Sequence, residues 1–82
     1  MLIRKQAKKS LQSLPGTDRH RIVEKITNLG KNPNNEALDI NPLQGKPYFR
    51  LRAGQWRIIF SRDDEIKIIA IEKIKSRGDA YK

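Results

Sequence analysis

The 82-residue sequence contains no cysteine and a single histidine. Without cysteine, the chain has no disulfide, no cysteine-bound zinc and no thiol nucleophile. His20 falls inside a predicted helix among charged residues, where we expect it to be solvated. The phosphate-binding glycine motifs GxxxxGK[ST] and GxGxxG are also missing. These absences argue against metal-assisted hydrolysis, serine–histidine–aspartate catalysis and nucleotide binding, so we expect no metal site and no cofactor.

Long apolar runs are missing as well. After the first residues, the longest is Ile68 to Ile71, far short of the roughly 20 residues that a membrane-spanning helix needs. The amino-terminal segment MLIRKQAKKSLQSL lacks the apolar centre of a signal peptide. We therefore expect a cytoplasmic protein with no membrane partner. A chain of this length has one small core, which predicts a single domain over residues 1–82.

Acidic residues are scarce, because 9 Asp and Glu stand against 18 Lys and Arg, a formal net charge of +9. A surplus of this size in a small protein predicts a polyanionic partner, such as nucleic acid, an anionic membrane or an acidic protein. The alternative interpretation is a basic surface that only keeps the protein in solution.

The first third of the sequence carries apolar residues at helical spacing. Pro15-Gly16 separates two such stretches, and Thr17 or Asp18 is the predicted amino-terminal cap of the second helix, with Gly30 at its carboxyl end. Two short amphipathic helices joined in this way predict a helical hairpin, and Leu2-Ile3 before it predicts a short strand. The apolar stripes comprise Ala7, Leu11 and Leu14 in the first helix and Ile22, Val23, Ile26 and Leu29 in the second.

Beyond residue 47 the apolar spacing changes to two, which is typical of β-strands. Residues 32–47, rich in Asn, Pro and Gly, are predicted to form a surface loop, followed by strands at 48–52, 55–61 and 65–73 with a polar turn at 62–64. The last of these strands is apolar on both faces and is therefore expected in the interior of a sheet. Together these patterns predict an α+β fold, an amino-terminal helical hairpin packed on one face of a mostly antiparallel sheet.

Alternation along the second predicted strand turns Trp56, Ile58 and Phe60 toward the helices and leaves Arg57 on the open face of the sheet. Arginine binds phosphate through a planar, bidentate fork. An exposed tyrosine such as Tyr81 can stack on an unpaired base, a contact worth about 1–3 kcal/mol. From these residues alone, a nucleic-acid-binding face and an ordinary solvated face fit equally well. The basic and aromatic set comprises Arg50, Arg52, Trp56, Arg57, Lys73, Lys75, Arg77 and Tyr81.

Two stretches resemble the RelE/ParE family of bacterial toxins from toxin–antitoxin systems. Residues 43–60, LQGKPYFRLRAGQWRIIF, are similar to the family pattern of a Leu-x-Gly loop, a Tyr-(Lys/Arg)-Leu-Arg strand, a short turn and an aromatic-Arg-hydrophobic strand. The closing residues, SRGDAYK, resemble the family's Arg-(x)-Asp-x-Tyr-(Lys/Arg) ending. The resemblance implies a RelE-like fold, and RelE-like members are endoribonucleases that cut messenger RNA, often in the ribosomal A site, without a metal ion.

The resemblance also implies roles for individual residues. Arg57 matches the strand arginine that holds the scissile phosphate, and Arg50 a basic residue of the preceding strand. Lys75 and Arg77 fall near the basic residues that end the last strand, and Tyr81 matches a tyrosine that stacks on a base. These five form the expected catalytic set. The further RNA-binding residues expected on the same face are Arg52, Lys73, Lys46 and Lys82.

The sequence departs from the family pattern in two places. Many members carry a histidine where this chain reads Lys-Ser-Arg at 75–77, and Tyr48 stands where the best-known branch has a lysine. The general acid and base therefore remain open, with Lys75 as our candidate, because neighbouring cations disfavour the charged form of a lysine. RNA supplies its own nucleophile, the 2′-hydroxyl, so the protein has only to align it and stabilise the developing charge.

Two other functions stay open. Members of the ParE branch share the fold but inhibit DNA gyrase, and a nucleic-acid-binding or ribosome-binding module without catalysis would have the same composition. We favour the ribonuclease because the chain retains Arg57, the basic residues near the tail and Tyr81. The partners implied are a cognate acidic antitoxin, messenger RNA with the ribosome, and operator DNA through the antitoxin.

Overall fold

The computed structural model describes residues 1–76. Arg77, Tyr81 and Lys82, three of the predicted site residues, lie outside this range. In chain order the elements are β1 (Leu2–Ile3), α1 (Lys5–Ser13), α2 (Gly16–Lys31), β2 (Ile40–Pro42), β3 (Phe49–Ala53), β4 (Trp56–Asp63) and β5 (Ile68–Ser76).

Within these residues, five strands form one sheet in the order β1-β5-β4-β3-β2. β1 runs parallel to β5, and every other neighbouring pair is antiparallel. The predicted α+β fold with a mostly antiparallel sheet and a short first strand is therefore confirmed. β5 lies between β1 and β4, which confirms the interior position expected from its apolar composition.

The two helices form the predicted hairpin on one face of the sheet, with α1 along β5 and α2 over β3. Ile22 and Leu29 of α2 and Ala7 of α1 are fully buried there, because residues three, four and seven apart share one side of a helix. From the sheet, Ile58 and Phe60 face the helices as predicted, and Trp56 packs at the edge of the same core. Within residues 1–76, neither helix is long and apolar enough to cross a membrane.

Arg19 joins the two helices of the hairpin. Its Nε donates a hydrogen bond to the Leu11 carbonyl at 3.0 Å, and its Nη2 donates one to the Leu14 carbonyl at 2.9 Å. These carbonyls belong to the end of α1, where the last carbonyls lack an N–H partner four residues on. The Leu11 carbonyl also accepts a long hydrogen bond of 3.4 Å from the Leu14 N–H. A cation at this position also complements the partial negative charge of the helix end. The start of α2 thereby caps the end of α1.

The start of α2 differs from the prediction. The helix begins at Gly16 with Pro15 as its cap residue, so Thr17 and Asp18 lie inside the first turn. The Pro15 carbonyl accepts the first helical hydrogen bond from the Arg19 N–H, at 2.9 Å. A cap side chain accepts a hydrogen bond from the first free N–H groups of the helix, and proline has no such acceptor, so Pro15 forms no side-chain cap.

The end of α2 also differs. The helix continues through Lys31 to a cap at Asn32, and Gly30 lies inside it. The Met1 side chain packs over Gly30, where a Cβ would come within 2.8 Å of the Met1 Cε, so close packing explains the glycine. Val23 was predicted in the buried stripe, but it is 45% exposed because it lies one step around the helix from the buried positions.

The β-strands are shifted from the predicted bounds. β2 lies inside the stretch predicted as loop, and β4 continues to Asp63. The Asp63 carboxylate accepts hydrogen bonds from the N–H groups of Glu65 and Ile66 at 3.0 and 3.4 Å, so the turn follows it instead of including it. Ile66, predicted within a strand, is therefore 64% exposed in this turn.

A β-bulge interrupts the pairing of β4 with β5. Ile59 pairs with Lys73, but the next residue, Phe60, pairs with Ile71, so Glu72 is left without a partner. A bulge of this kind adds one residue to a strand and re-aims its side chains. Glu72 and Lys73 consequently both lie on the face away from the helices, while Ile71 on one side remains in the core.

A cationic cleft beside a buried arginine

A row of three cations crosses the open face of the sheet. Arg57 of β4 pairs directly with Arg52 of β3 on one side and with Lys75 of β5 on the other. Directly opposed residues in an antiparallel sheet point to the same face, and like charges there are unfavourable. Within residues 1–76, only Arg52 of the three has an ion pair, with Asp39 at 3.9 Å. This row therefore carries uncompensated positive charge.

Arg57 lies on the predicted face, but the expectation that it would be solvent-exposed is wrong, because it is only 1% exposed. Its Nη1 donates a long hydrogen bond of 3.4 Å to the Trp56 carbonyl, and among residues 1–76 its Nε has no partner. Strand alternation assigns a face, whereas exposure depends on everything that packs around that face. A guanidinium cannot lose its proton, so its burial without a counter-ion is unfavourable unless an anion binds.

Beside this row lies an open cleft of about 250 Å³. It receives side chains from β3, β4, β5 and the loop before β3. Four of the predicted site residues come together here, namely Arg50, Lys75, Lys73 and Lys46. Arg57, which pairs with Lys75, and Arg52, which pairs with Arg57, are not among the lining residues. The described lining comprises Leu43, Lys46, Tyr48, Arg50, Ile59, Glu72, Lys73 and Lys75.

The loop between β2 and β3 supplies the rim of the cleft. The N–H of Leu43 donates to the Tyr48 carbonyl at 2.9 Å, and the N–H of Lys46 donates to the Leu43 carbonyl at 3.2 Å. Gly45 has a φ of +73°, a conformation that glycine adopts without steric cost. The loop is thus closed on itself, and it holds Lys46 and Tyr48 over the end of the sheet.

Two residues of the cleft were missed as site residues from the sequence. Tyr48 is half-buried at the rim, and from the sequence it was seen only as a departure from the family pattern. Glu72 is the single acid of the lining within residues 1–76. The Ser61 hydroxyl donates to its Oε2 at 3.0 Å, and Arg4 Nε lies 3.5 Å from both carboxylate oxygens. The sequence signal that could have identified Glu72 is an acidic residue among the apolar and basic residues of the last strand.

A larger depression of about 480 Å³ lies between the end of α2 and the β4–β5 turn. Its arginine, Arg62, donates to Asp64 at 2.7 Å and to the Asn34 side chain at 3.3 Å. The charge there is therefore already compensated, unlike the charge in the cationic cleft. His20 is exposed, and no group of three His, Asp or Glu side chains between Met1 and Ser76 could hold a metal ion.

The chain is similar to known toxins over nearly its whole length. Residues 1–81 match the family model described as ParE toxin of type II toxin-antitoxin system, parDE. The protein named "Putative toxin RelE1" of Methanocaldococcus jannaschii is 35% identical over 82 residues, which cover 98% of this chain and 91% of that protein.

Two solved structures show the same architecture. The toxin chain of the archaeal RelE-RelB complex from Pyrococcus horikoshii OT3 is 38% identical with a TM-score of 0.79, covering 93% of this chain and 91% of that one. The RelB-RelE antitoxin-toxin complex from Methanococcus jannaschii gives 28% identity and a TM-score of 0.80, covering 99% and 95%. This chain is a RelE-like member of the RelE/ParE family of toxins of type II toxin–antitoxin systems.

Proposed function

We propose that this toxin is an endoribonuclease that cleaves messenger RNA on the ribosome, without a metal ion, and thereby inhibits translation. The observation that carries the proposal is the buried guanidinium of Arg57, without an ion pair within residues 1–76, beside a cleft lined by Lys46, Arg50, Lys73 and Lys75. A site of this kind attracts a phosphodiester and has room for a nucleotide. Similarity to RelE toxins over nearly the whole chain supports the same function.

The chemistry follows from this distribution of charge. RNA carries its own nucleophile, the 2′-hydroxyl, and the transition state gathers negative charge on the phosphate oxygens. Arginines fixed on a rigid sheet stabilise that charge without having to reorganise. In our proposal the groups that bury Arg57 move aside as RNA binds, so that its guanidinium holds the scissile phosphate. Arg50 and Lys75 contact the phosphate oxygens from the neighbouring strands. Tyr48 offers a ring on which a base can stack.

The remaining predicted residues complete the proposed site. Arg52 and Lys73 extend the positive surface along β3 and β5, and Lys46 extends it along the loop. Arg77, Tyr81 and Lys82 keep the roles that the family resemblance implies, a further phosphate contact, base stacking and RNA binding, which remain predictions.

We also infer an acidic antitoxin as the partner of this chain. The solved relatives are complexes of a RelE toxin with its RelB antitoxin. The net charge of +9 favours a partner of opposite charge, because complementary charge accelerates association and suppresses wrong partners. Operator DNA would then be reached through the antitoxin. Co-expression with the adjacent reading frame should restore growth and give a co-purifying complex; if neither happens, that frame is not the antitoxin.

Cleavage of a short message on programmed ribosomes tests the proposal. The wild type should cut within codons, and pre-treatment of the toxin with EDTA should leave the rate unchanged once ribosomal magnesium is restored. Arg50→Met and Lys75→Met should each slow cleavage, whereas Lys8→Met on the outer face of α1 provides a matched loss of one positive charge away from the cleft. Full activity of both cleft variants would refute the site.

Inhibition of DNA gyrase is the second candidate, since the matching family model is described by its ParE toxins. A supercoiling assay with purified gyrase separates the two activities. Absence of cleavage together with loss of supercoiling would place this protein in the ParE branch, and absence of both would favour a binding module without catalysis.

A further inference from the structure

Glu72 has two structural features that the function described above does not use. Among the described residues, it is the single acid that lines the cleft. It is also the extra residue of the β4–β5 bulge, which turns its side chain to the same face as Lys73. Bulges are over-represented next to active sites, where they re-aim a side chain. An acid in a cleft built to attract an anion weakens binding, so its presence calls for a chemical role.

The carboxylate of Glu72 is held in one orientation. The Ser61 hydroxyl donates to Oε2 at 3.0 Å from β4, and Arg4 approaches from the start of α1 with its Nε 3.5 Å from each oxygen. Within residues 1–76, Oε1 therefore has only this long contact with Arg4. The side chain is 21% exposed, which is enough for the remaining lone pairs of Oε1 to meet a ligand in the cleft.

We propose that Glu72 accepts the proton of the attacking 2′-hydroxyl in the ribonuclease reaction, a role that rests on the proposed function. The 2′-oxygen forms a bond to phosphorus as its proton passes to the Glu72 carboxylate. The bond from phosphorus to the 5′-oxygen breaks, and this oxygen leaves with the electron pair and takes a proton from the Lys75 ammonium. The products are a 2′,3′-cyclic phosphate and a 5′-hydroxyl.

The charged groups around Glu72 are consistent with these two proton transfers. A carboxylate can accept a proton and an ammonium can donate one, so Glu72 suits the first proton transfer and Lys75 the second. Glu72 and Lys75 lie three residues apart along β5 and both line the cleft, with the space for a phosphate beside them. The charged groups that face Glu72 are Arg4, Lys46, Arg50, Lys73 and Lys75.

Glu72→Gln tests the role, because glutamine keeps the shape and an acceptor for the Ser61 hydroxyl but is not a base. Single-turnover cleavage on programmed ribosomes should fall by about 100-fold or more, the contribution typical of general base catalysis. Binding of a message with a 2′-deoxy nucleotide at the cleavage position should stay within twofold of wild type. The wild-type rate should decline at acidic pH, and this decline should be absent in Glu72→Gln. Glu65→Gln, on the exposed β4–β5 turn, is the matched control and should behave as wild type.

Glu72→Asp distinguishes the loss of a proton acceptor from a loss of structure. It keeps a carboxylate one methylene shorter, so cleavage should be slowed while the acidic decline of the pH profile is retained. Loss of that decline in Glu72→Asp would contradict the role even if Glu72→Gln proved unstable. Wild-type rate and pH profile in Glu72→Gln would overturn the inference and leave the ribonuclease standing, whereas a wild type that cleaves no RNA would refute the ribonuclease and the role of Glu72 together.

Discussion

Replacing Arg57 by methionine should make the protein more stable and inactive. The side chain is 1% exposed, and its Nε has no hydrogen-bond partner in the described part of the chain. Methionine is similar in length, fills the same space and has no charge to bury. Removing a buried group usually destabilises a protein. An increase in the free energy of unfolding would therefore identify Arg57 as a functional cation, and a decrease would identify it as a structural one.

The magnitude follows from the contacts of Arg57. The substitution loses one long hydrogen bond of 3.4 Å to the Trp56 carbonyl, worth at most about 1 kcal/mol. It relieves an unsatisfied buried donor that costs about 1–3 kcal/mol. It also removes like-charge opposition to Arg52 and Lys75, about 0.2–1 kcal/mol for each pair. We expect a net gain of about 1–2 kcal/mol, and a domain of this size shifts its Tm by about 4–8 °C for each kcal/mol.

Urea and thermal unfolding of the purified toxin measure this difference. Inorganic phosphate should raise the Tm of the wild type, because an anion that binds only the folded state stabilises it, and the effect should be smaller in Arg57→Met. Cleavage should fall by about 100- to 1000-fold, the usual cost of losing one transition-state donor. Arg52→Met, which removes an exposed cation of the same row, is the control and should change the Tm little. A loss of more than about 1 kcal/mol in Arg57→Met would show that the guanidinium holds the fold together, and the reasoning would fail.

Three further substitutions have definite expected outcomes. Arg19→Met, which uncaps the end of α1, should lower the free energy of unfolding in urea by about 1 kcal/mol, while Lys8→Met should leave it unchanged; equal effects would mean that the caps contribute nothing. Gly54→Ala should cost about 1–2 kcal/mol by the same measurement, because Gly54 has a φ of +63°. The new Cβ would also lie 2.8 Å from Arg21 Nη1. The double variant Gly54→Ala, Arg21→Ala should therefore recover only a small part of the lost stability, whereas complete recovery would mean that the steric clash, and not the positive φ, causes the loss. Tyr48→Ala should slow cleavage about tenfold and Tyr48→Phe should not, if the ring stacks on a base; similar losses in both would point to the hydroxyl.

The parts of the fold that the sequence predicted correctly are those set by periodicity. Ile58 and Phe60 alternate with polar neighbours, and their burial under the helices follows from that alternation alone. The helical hairpin follows from stripes of aliphatic residues in the same way. β2 was missed because its residues, Ile40–Pro42, are too few to show a period and lie among turn-forming residues. Its place in the sheet depends on pairing with β3, a tertiary contact.

The site was predictable in its composition but not in its geometry. Arg50, Lys73 and Lys75 were assigned to one face from the family pattern and meet in the cleft. The burial of Arg57 could not be read from alternation, because a strand period says nothing about the space beside the face. Glu72 was missed because a bulge adds a single residue to one strand and leaves no mark on the hydrophobic pattern of either strand. Such local irregularities depend on the partner strand as much as on the strand itself.

The parallel pairing of β1 with β5 determines when, during synthesis, the sheet can be completed. β1 leaves the ribosome long before its partner in the described sheet, β5, which begins at Ile68. A nascent chain that stops short of β5 holds both helices and strands β2 to β4, but it lacks Glu72, Lys73 and Lys75. Contacts between such distant segments form late and slowly during folding. The cleft therefore cannot form until β5 has been synthesised.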